Sequence, residues 1–222
     1  VAEFVPVNIG GVTVSHASIH NFDEIDRLDV REGDTVDIKR AGDVIPQIIS
    51  VDLNKRKKGS SKVSLPKRCP SCNTDLVKIE GEAILRCTMG LDCPAQRIGA
   101  LIHFVSRNAL NIDGLGERII ELLVDKNLVS NFADLFRLEI KDIIDLEGFG
   151  EKSATNLIHS IQESRETTLP RFIYSLGIRE VGEATAMNLA LNFNNITNFL
   201  SAKEEDLIEI NQKGPVATKI IK

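Results

Sequence analysis

Leu146-Glu147-Gly148-Phe149-Gly150 places two glycines around one apolar residue, immediately before a stretch with helical spacing of its apolar residues. Similar segments occupy residues 112–116, 178–182 and 210–214, so that glycines align at positions 116, 150, 182 and 214. Residues 132–146 also match residues 196–210 in their apolar pattern, at a constant offset of 64. A regular spacing of this kind predicts pairs of helix–turn–helix units, used twice.

The glycine corners in these repeats suggest a binding function. Glycine tolerates positive φ and lets a partner approach the backbone closely. Successive N–H groups at the start of a helix form an uncharged site suited to a phosphate. One such turn is usually only a helix cap, whereas four in register favour a helix-hairpin-helix motif, which contacts the nucleic-acid backbone without reading bases. The candidate residues are Gly114, Gly116, Gly148, Gly150, Lys152, Ser153, Arg179, Val181 and Gly182.

The four corners are not equivalent. The first two contain both glycines, whereas the third has Glu180 in place of the first glycine. The fourth has Gln212 at that place and Lys213 in the apolar position. We therefore expect the first two corners to bind phosphate, the third to contribute and the fourth to be mainly structural.

All the cysteines of the chain lie within one short segment, with the spacing Cys69-x2-Cys72-x14-Cys87-x5-Cys93. Four thiolates can fill the tetrahedral shell of a zinc ion and leave no position for water, so the site is predicted to be structural. Few apolar residues surround the cysteines, and metal binding would supply the folding energy. A pair of disulfides would require an oxidising compartment, and a redox Cys-x-x-Cys would require a βαβ context; the sequence favours neither.

The first part of the chain alternates apolar and polar residues, as in Val5–Ile9, Val12–Val14 and Val36–Ile38, and a further apolar run covers Val44–Val51. Short strands punctuated by glycine turns predict a small barrel or sandwich. From Lys55 to Arg68 there are seven cations and no acid. This segment is either a solvated linker or a contact for phosphates. Lys39 and Arg40 stand at the end of a strand, where the residues alone predict a solvated turn.

Composition limits the possible functions. The chain has 222 residues, 42% of them hydrophobic and 27% charged, with a net charge of −5. This composition indicates a folded protein and excludes a disordered one. The length allows either one large domain or a multidomain chain of two or three small ones. No apolar run reaches the length of a membrane span, and no secretory leader opens the chain, so we expect no membrane partner and a cytoplasmic location. Because Val1 begins directly in a strand-like run, we expect a piece of a longer protein.

The order of a strand barrel, a four-cysteine module and tandem hairpins resembles the C-terminal part of bacterial NAD-dependent DNA ligases. The resemblance spans essentially the whole chain, and the segments that carry it are Val14–Asn21, Arg40–Pro46, Cys93–Gln96 and Leu176–Glu183, together with the cysteine spacing. It implies an OB-fold over residues 1–62 with its basic linker, a four-cysteine zinc finger over 63–95 and an all-α tandem helix-hairpin-helix domain with four motifs over 96–222. The Lys39–Arg40 surface would then face DNA.

The resemblance also implies an activity for the parent protein. In this family a lysine attacks NAD to form AMP-lysine, AMP passes to the 5′-phosphate of a nick in duplex DNA, and the 3′-hydroxyl displaces it. That lysine lies in a Lys-x-Asp-Gly motif, whereas Asn111-Ile112-Asp113-Gly114 has an amide, which is no competent nucleophile. We therefore expect no catalytic residue here, an inactive fragment, and NAD and magnesium bound outside it. The adenylation domain would precede the chain, and a BRCT domain would follow it.

Two alternatives remain open at the level of sequence. The chain could belong to a non-enzymatic DNA-binding scaffold with the same modules, or it could be a zinc-organised protein-interaction module that binds no nucleic acid. Nicked double-stranded DNA is the expected partner in the ligase hypothesis, with the chain itself a monomer. Saturable, salt-sensitive DNA binding would exclude the protein-interaction module.

Overall fold

The computed structural model describes residues 1–39, 45–78 and 84–210. The chain divides into two compact units, Val1–Met89 and Gly90–Lys222. The division into three domains at residues 62 and 95 stays a prediction. Arg40 and residues 211–214 of the fourth corner lie outside the described residues. Among the helices that are described, none is both long enough and apolar enough to cross a bilayer.

Strands of the first unit form antiparallel pairs. Strand β1 (Ala2–Ile9) pairs with β2 (Val12–Ala17), and β3 (Val36–Lys39) pairs with β4 (Gln47–Val51). The two ribbons are joined because the Ser18 N–H donates to the Pro46 carbonyl at 2.7 Å and the Ile48 N–H donates to the Ser18 carbonyl at 3.2 Å. The prediction of short strands is confirmed for these segments. The strand expected over 44–51 is shorter than predicted, since β4 begins only after Pro46, which has no N–H for a ladder.

The first unit also contains a helix that the strand prediction missed. Helix α1 (Phe22–Leu28) begins after Asn21, whose side chain accepts a hydrogen bond from the Glu24 N–H at 2.9 Å. Asp29 ends the helix in the left-handed region, with φ of 48°. The interpretation of residues 1–53 as strands alone is therefore wrong here. The Asn-x-x-Glu pattern of a capping box was the sequence signal for it.

The basic segment after β4 is held against the rest of the first unit by ion pairs and hydrogen bonds. After a short 3-10 helix (Leu53–Lys55), the Arg56 guanidinium binds Asp29 at 2.6 Å and Asp34 at 2.9 Å, and its side chain is only 14% exposed. The Arg31 side chain also donates to the Ser60 carbonyl at 2.8 Å. These contacts correct the interpretation of this part of the segment as a solvated linker.

The second unit is helical, and its helices repeat as the sequence predicted. Their bounds are α2 (Pro94–Val105), α3 (Glu117–Asp125), α4 (Phe132–Leu135), α5 (Ile140–Ile143), α6 (Glu151–Glu163), α7 (Leu169–Ser175), α8 (Glu183–Phe193), α9 (Ile196–Leu200) and α10 (Glu204–Ile210). Helices α4 and α9 begin 64 residues apart, and so do α5 and α10. The offset of 64 found in the sequence is thus confirmed at the level of helix starts.

Each pair of hairpins has its own hydrophobic core. The first core is built from α2 to α6 and includes Leu101, Phe104, Ile120, Leu123 and Ile161, all at most 2% exposed. A second, smaller core joins α7 to α10 around the following buried residues: Ile173, Val181, Ala186, Leu189, Phe199 and Leu207. The two pairs also contact one another, since Arg171 donates to the Ala109 and Arg107 carbonyls at 2.8 and 2.7 Å.

Candidate zinc centre and nucleic-acid interface

The cysteine cluster predicted from the spacing is present. The sulfur atoms of Cys69, Cys72, Cys87 and Cys93 all lie within 4.8 Å of one another. The sulfurs of Cys72 and Cys87 are 3.4 Å apart, which is too far for a disulfide bond. Four sulfurs bonded to one zinc ion at the usual Zn–S length would be about 3.8 Å apart. The set therefore fits a tetrahedral zinc site with four cysteine ligands.

Local backbone structure brings the first three cysteines together. Residues 69–74 form a tight turn, because the Cys69 N–H donates to the Thr74 carbonyl at 2.8 Å and the Asn73 N–H donates to the Cys69 carbonyl at 2.9 Å. A hairpin places Cys87 beside this turn: β5 (Leu76–Lys78) pairs with β6 (Leu85–Cys87), and Leu76 lies opposite Cys87. The Thr74 hydroxyl and N–H beside Cys72 lower the pKa of that thiol to about 6, which favours the thiolate that a metal binds.

Cys93 occupies the N-cap of α2 and is 1% exposed. The preceding 3-10 turn (Gly90–Asp92) positions it, since the Cys93 N–H donates to the Gly90 carbonyl at 3.1 Å. Pro94 then starts the helix at a position where no N–H is needed. A thiolate at a helix N-terminus is stabilised by the helix dipole, so the last ligand is electrostatically suited to its place.

The three described glycine corners share one backbone arrangement. Gly114 and Gly148 have φ of 79° and 86°, in the left-handed region that favours glycine. The residue that follows points inward: Leu115 is 3% and Val181 is 5% exposed, while Phe149 is half-buried. The next glycine is the exposed N-cap of a helix, namely Gly116 for α3, Gly150 for α6 and Gly182 for α8. Each corner is therefore anchored by its middle residue and open at its cap.

The third corner keeps this geometry without the first glycine. Glu180 adopts φ of 65°, in the place of Gly114 and Gly148. Its carboxylate lies 3.6 Å from the Arg179 guanidinium, whose side chain is 29% exposed. The substitution noted in the sequence has therefore not changed the turn, but it requires an L-residue in a conformation that is unfavourable for it.

Open amides surround the cap glycines. A Cβ atom built on Gly116, Gly150 or Gly182 would have no neighbour within 4 Å. In the described ranges the Gly116 and Gly182 N–H groups have no acceptor within the chain, and neither do the amides of the two residues that follow each of them. The Gly150 N–H differs, because it donates to the Ser153 hydroxyl at 2.9 Å. The first and third corners thus present more free donors than the second.

The side chains predicted to support the corners are placed differently. Lys152 is exposed in the first turn of α6, and Ser153 caps the same turn, since its hydroxyl accepts a hydrogen bond from the Gly150 N–H at 2.9 Å. Lys39 is exposed at the end of β3.

The basic segment from Lys55 to Arg68 is largely paired with acids. Of its seven cations, four have acidic partners within 4.0 Å, namely Lys55, Arg56, Lys62 and Arg68. Most of that segment is therefore neutralised locally, which weakens it as a phosphate contact.

One basic residue that the sequence analysis missed lies between two corners. Arg118 is exposed in the first turn of α3, and its Nη2 atom is 3.3 Å from the position that a Cβ on Gly148 would take. The repeat contained the signal, because Gly116-Glu117-Arg118 and Gly150-Glu151-Lys152 have a cation at the same step after the cap glycine.

The segment that resembled a nucleophile motif is part of the first corner. Asn111 adopts φ of 53°, Ile112 is 4% exposed, and the Asp113 N–H donates to the Ser160 hydroxyl at 2.8 Å. These residues shape the turn before α3. The rejection of Asn111 as a nucleophile rests on its carboxamide side chain and stays a prediction.

Comparison with family models identifies four segments of the chain. Residues 1–60 match the NAD-dependent DNA ligase OB-fold domain, and residues 68–95 match the NAD-dependent DNA ligase C4 zinc finger domain. Residues 106–163 match a SAM-like helix-hairpin-helix tandem, and residues 171–222 match a helix-hairpin-helix motif. The fold class expected from the resemblance is confirmed by these matches.

Similar curated proteins carry the name DNA ligase. The chain is 54% identical over 217 residues to one from Hahella chejuensis, covering 98% of the chain and 32% of that protein. It is 54% identical over 216 residues to one from Marinobacter nauticus, covering 97% of the chain and 32% of the relative. For Alkalilimnicola ehrlichii the identity is 50% over 221 residues, with 100% and 33% covered. The chain therefore spans about a third of the length of the relatives it matches.

Proposed function

We propose that this chain, which carries the OB-fold and C4 zinc finger domains of NAD-dependent DNA ligases followed by helix-hairpin-helix motifs, holds duplex DNA for a nick-sealing ligase. The parent protein would join a 5′-phosphate to a 3′-hydroxyl through AMP-lysine and AMP-DNA. The observation that carries the proposal is the set of exposed cap glycines Gly116, Gly150 and Gly182, each at the start of a helix; in the described ranges the Gly116 and Gly182 N–H groups have no acceptor.

The corners would bind phosphate oxygens through N–H groups. Backbone amides carry no formal charge, so this mode of binding is compatible with a chain of net charge −5. Phosphates are the same at every base step, and contacts to them therefore position the duplex without selecting a sequence. Zinc on the four cysteines would fold residues 69–93 and take no part in chemistry, because thiolates fill all four positions.

Ligation itself is assigned to residues outside this chain. A lysine nucleophile, NAD and magnesium would be supplied by another part of the parent protein, and the cytoplasm is the compartment in which we place it. The chain alone should therefore form no covalent AMP adduct when incubated with NAD labelled in its adenylate. A labelled band on a denaturing gel would contradict this assignment.

The proposal is tested by fluorescence anisotropy of the 222-residue zinc-loaded chain with a labelled nicked duplex. We expect saturable binding that weakens as the salt concentration rises from about 50 to 200 mM, by an amount set by the number of Lys and Arg side chains that contact phosphate. The variant Gly116→Val with Gly150→Val should weaken binding, because each new side chain occupies the open space in front of a cap. Both glycines have negative φ, so valine adds no backbone strain.

The matched control is Gly99→Val, which adds the same bulk at an exposed glycine of α2 that also has no neighbour within 4 Å. Circular dichroism and zinc content verify that all variants are folded. Binding that is absent in the wild-type chain at low salt, or equal losses in the corner variant and the control, would refute the proposal. Equal affinity for unrelated duplex sequences is also expected.

A further inference from the structure

The first pair of hairpins carries two cations in equivalent places. Arg118 and Lys152 each stand two residues after a cap glycine, in the first turns of α3 and α6. Both side chains are exposed, and neither forms an ion pair within the described ranges. The acids that precede them, Glu117 and Glu151, are adjacent residues of the same helix, and side chains one residue apart on a helix do not face each other.

Arg118 reaches from its own hairpin to the other one. The approach of its Nη2 atom to the open side of Gly148 places the guanidinium beside the second corner, although α3 belongs to the first. In the reverse direction, a Cβ on Gly114 would lie 3.7 Å from Leu157 of α6. Each of the two corners is thus packed against the helix that follows the other corner. Arg118 of α3 is the cation that this packing brings to the second corner.

From this geometry we infer that Arg118 is a phosphate-binding residue that serves the junction of the first two corners, with Lys152 as its counterpart. The inference rests on the proposed function and adds a residue to it. The guanidinium offsets the negative charge of Glu117 and supplies several donors in a plane, which suits a phosphate oxygen pair. It also supplies the counterion displacement that neutral amides alone cannot provide.

The third corner has no cation two residues after its cap glycine. Ala184 stands where Arg118 and Lys152 stand in the first two, and Glu180 adds a carboxylate to the turn. Glu183 accepts a hydrogen bond from the Asn108 side chain, 75 residues earlier in the chain, at 2.9 Å. The first pair of hairpins, residues 106–163, therefore provides the larger electrostatic share of DNA binding.

The test compares Arg118→Gln with Lys126→Gln in the full zinc-loaded chain. Lys126 is the exposed C-cap of the same helix, so both variants remove one positive charge from α3, at opposite ends. Loss of one phosphate contact should lower the slope of log K against log salt by about 0.9 and weaken binding by about tenfold at 50 mM salt. Lys126→Gln should leave the slope and affinity close to those of the wild type.

Arg118→Lys should recover most of the salt slope, because the charge is retained. If Arg118→Gln and Lys126→Gln behave alike while the wild-type chain binds the nicked duplex, the inference is overturned and the proposed function stands. If the wild-type chain itself does not bind, both fail. Circular dichroism verifies that the variants are folded, so that a change in the salt slope is read on folded protein alone.

Discussion

Replacement of Glu180 by glycine should stabilise the second unit and strengthen its hold on DNA. Glu180 has φ of 65° at the position that glycine occupies in the other two described corners. The left-handed conformation costs an L-residue about 1–2 kcal/mol, and the extra chain entropy of glycine takes back about 0.5–1 kcal/mol. The expected net gain in the free energy of unfolding is therefore about 0.5–1 kcal/mol.

Loss of the Glu180 carboxylate should change the free energy of unfolding little. The Glu180–Arg179 distance is 3.6 Å and the Glu180 side chain is 55% exposed, so the pair is of the surface kind that contributes at most about 1 kcal/mol and often nothing measurable. Glu180→Ala separates the two effects, because it removes the charge and keeps the positive φ. The difference between the glycine and alanine variants then measures the backbone conformation alone.

The assay is urea unfolding followed by far-UV circular dichroism, with hydrogen exchange of the α7 and α8 amides to locate the effect. The glycine variant should have a higher urea midpoint than the alanine variant by an amount equivalent to about 0.5–1 kcal/mol. Both variants should bind the nicked duplex more tightly than wild type at low salt, since each removes a negative charge from a corner. Equal midpoints for the two variants would refute the argument from φ.

The remaining predictions concern the zinc site, the third corner and the ion network around Arg56. Cys87→Ser should release zinc and unfold residues 69–93, because three thiolates leave the shell open; unchanged zinc per chain by mass spectrometry contradicts the assignment of four ligands. Ala184→Lys should steepen the salt slope of DNA binding by about 0.9, and an unaltered slope would show that the third corner does not meet phosphate. Hydrogen bonds from Arg56 and Arg31 lower the pKa of Asp29 to about 2, so the stabilisation is complete above about pH 4 and is lost as the pH falls towards 2. Arg56→Met should raise the Asp29 pKa in a carboxyl NMR titration, and an unmoved pKa would contradict the role given to Arg56.

Local chemistry explains which parts of the fold the sequence could reveal. Zinc ligands cluster within 25 residues and the corners need glycine at fixed steps, so both leave a pattern that is readable along the chain. The cores of the second unit follow from helical spacing for the same reason. Helix α1 was equally readable through Asn21 and Glu24, but the surrounding strand pattern outweighed the capping signal.

The features that the sequence did not reveal depend on contacts between distant residues or on side-chain rotamers. Arg56 binds acids that precede it by 22 and 27 residues, and no local pattern indicates that a cation in a basic run is nearly buried. The repeat could have revealed Arg118, since it matches Lys152 in its step after the cap glycine, but its approach to Gly148 is a contact that no local pattern indicates. The hydrogen bond between Ser153 and Gly150 is likewise a matter of rotamer, which the sequence does not specify.

The separate cores of the two hairpin pairs bear on how such a protein can evolve. Since each pair closes around its own apolar residues, a harmful change in one need not propagate into the folding of the other. The positive φ of Glu180 is an unfavourable feature of this kind, and it lies in the pair that closes around the second core. One pair can therefore accommodate an unfavourable residue while the other keeps its own packing.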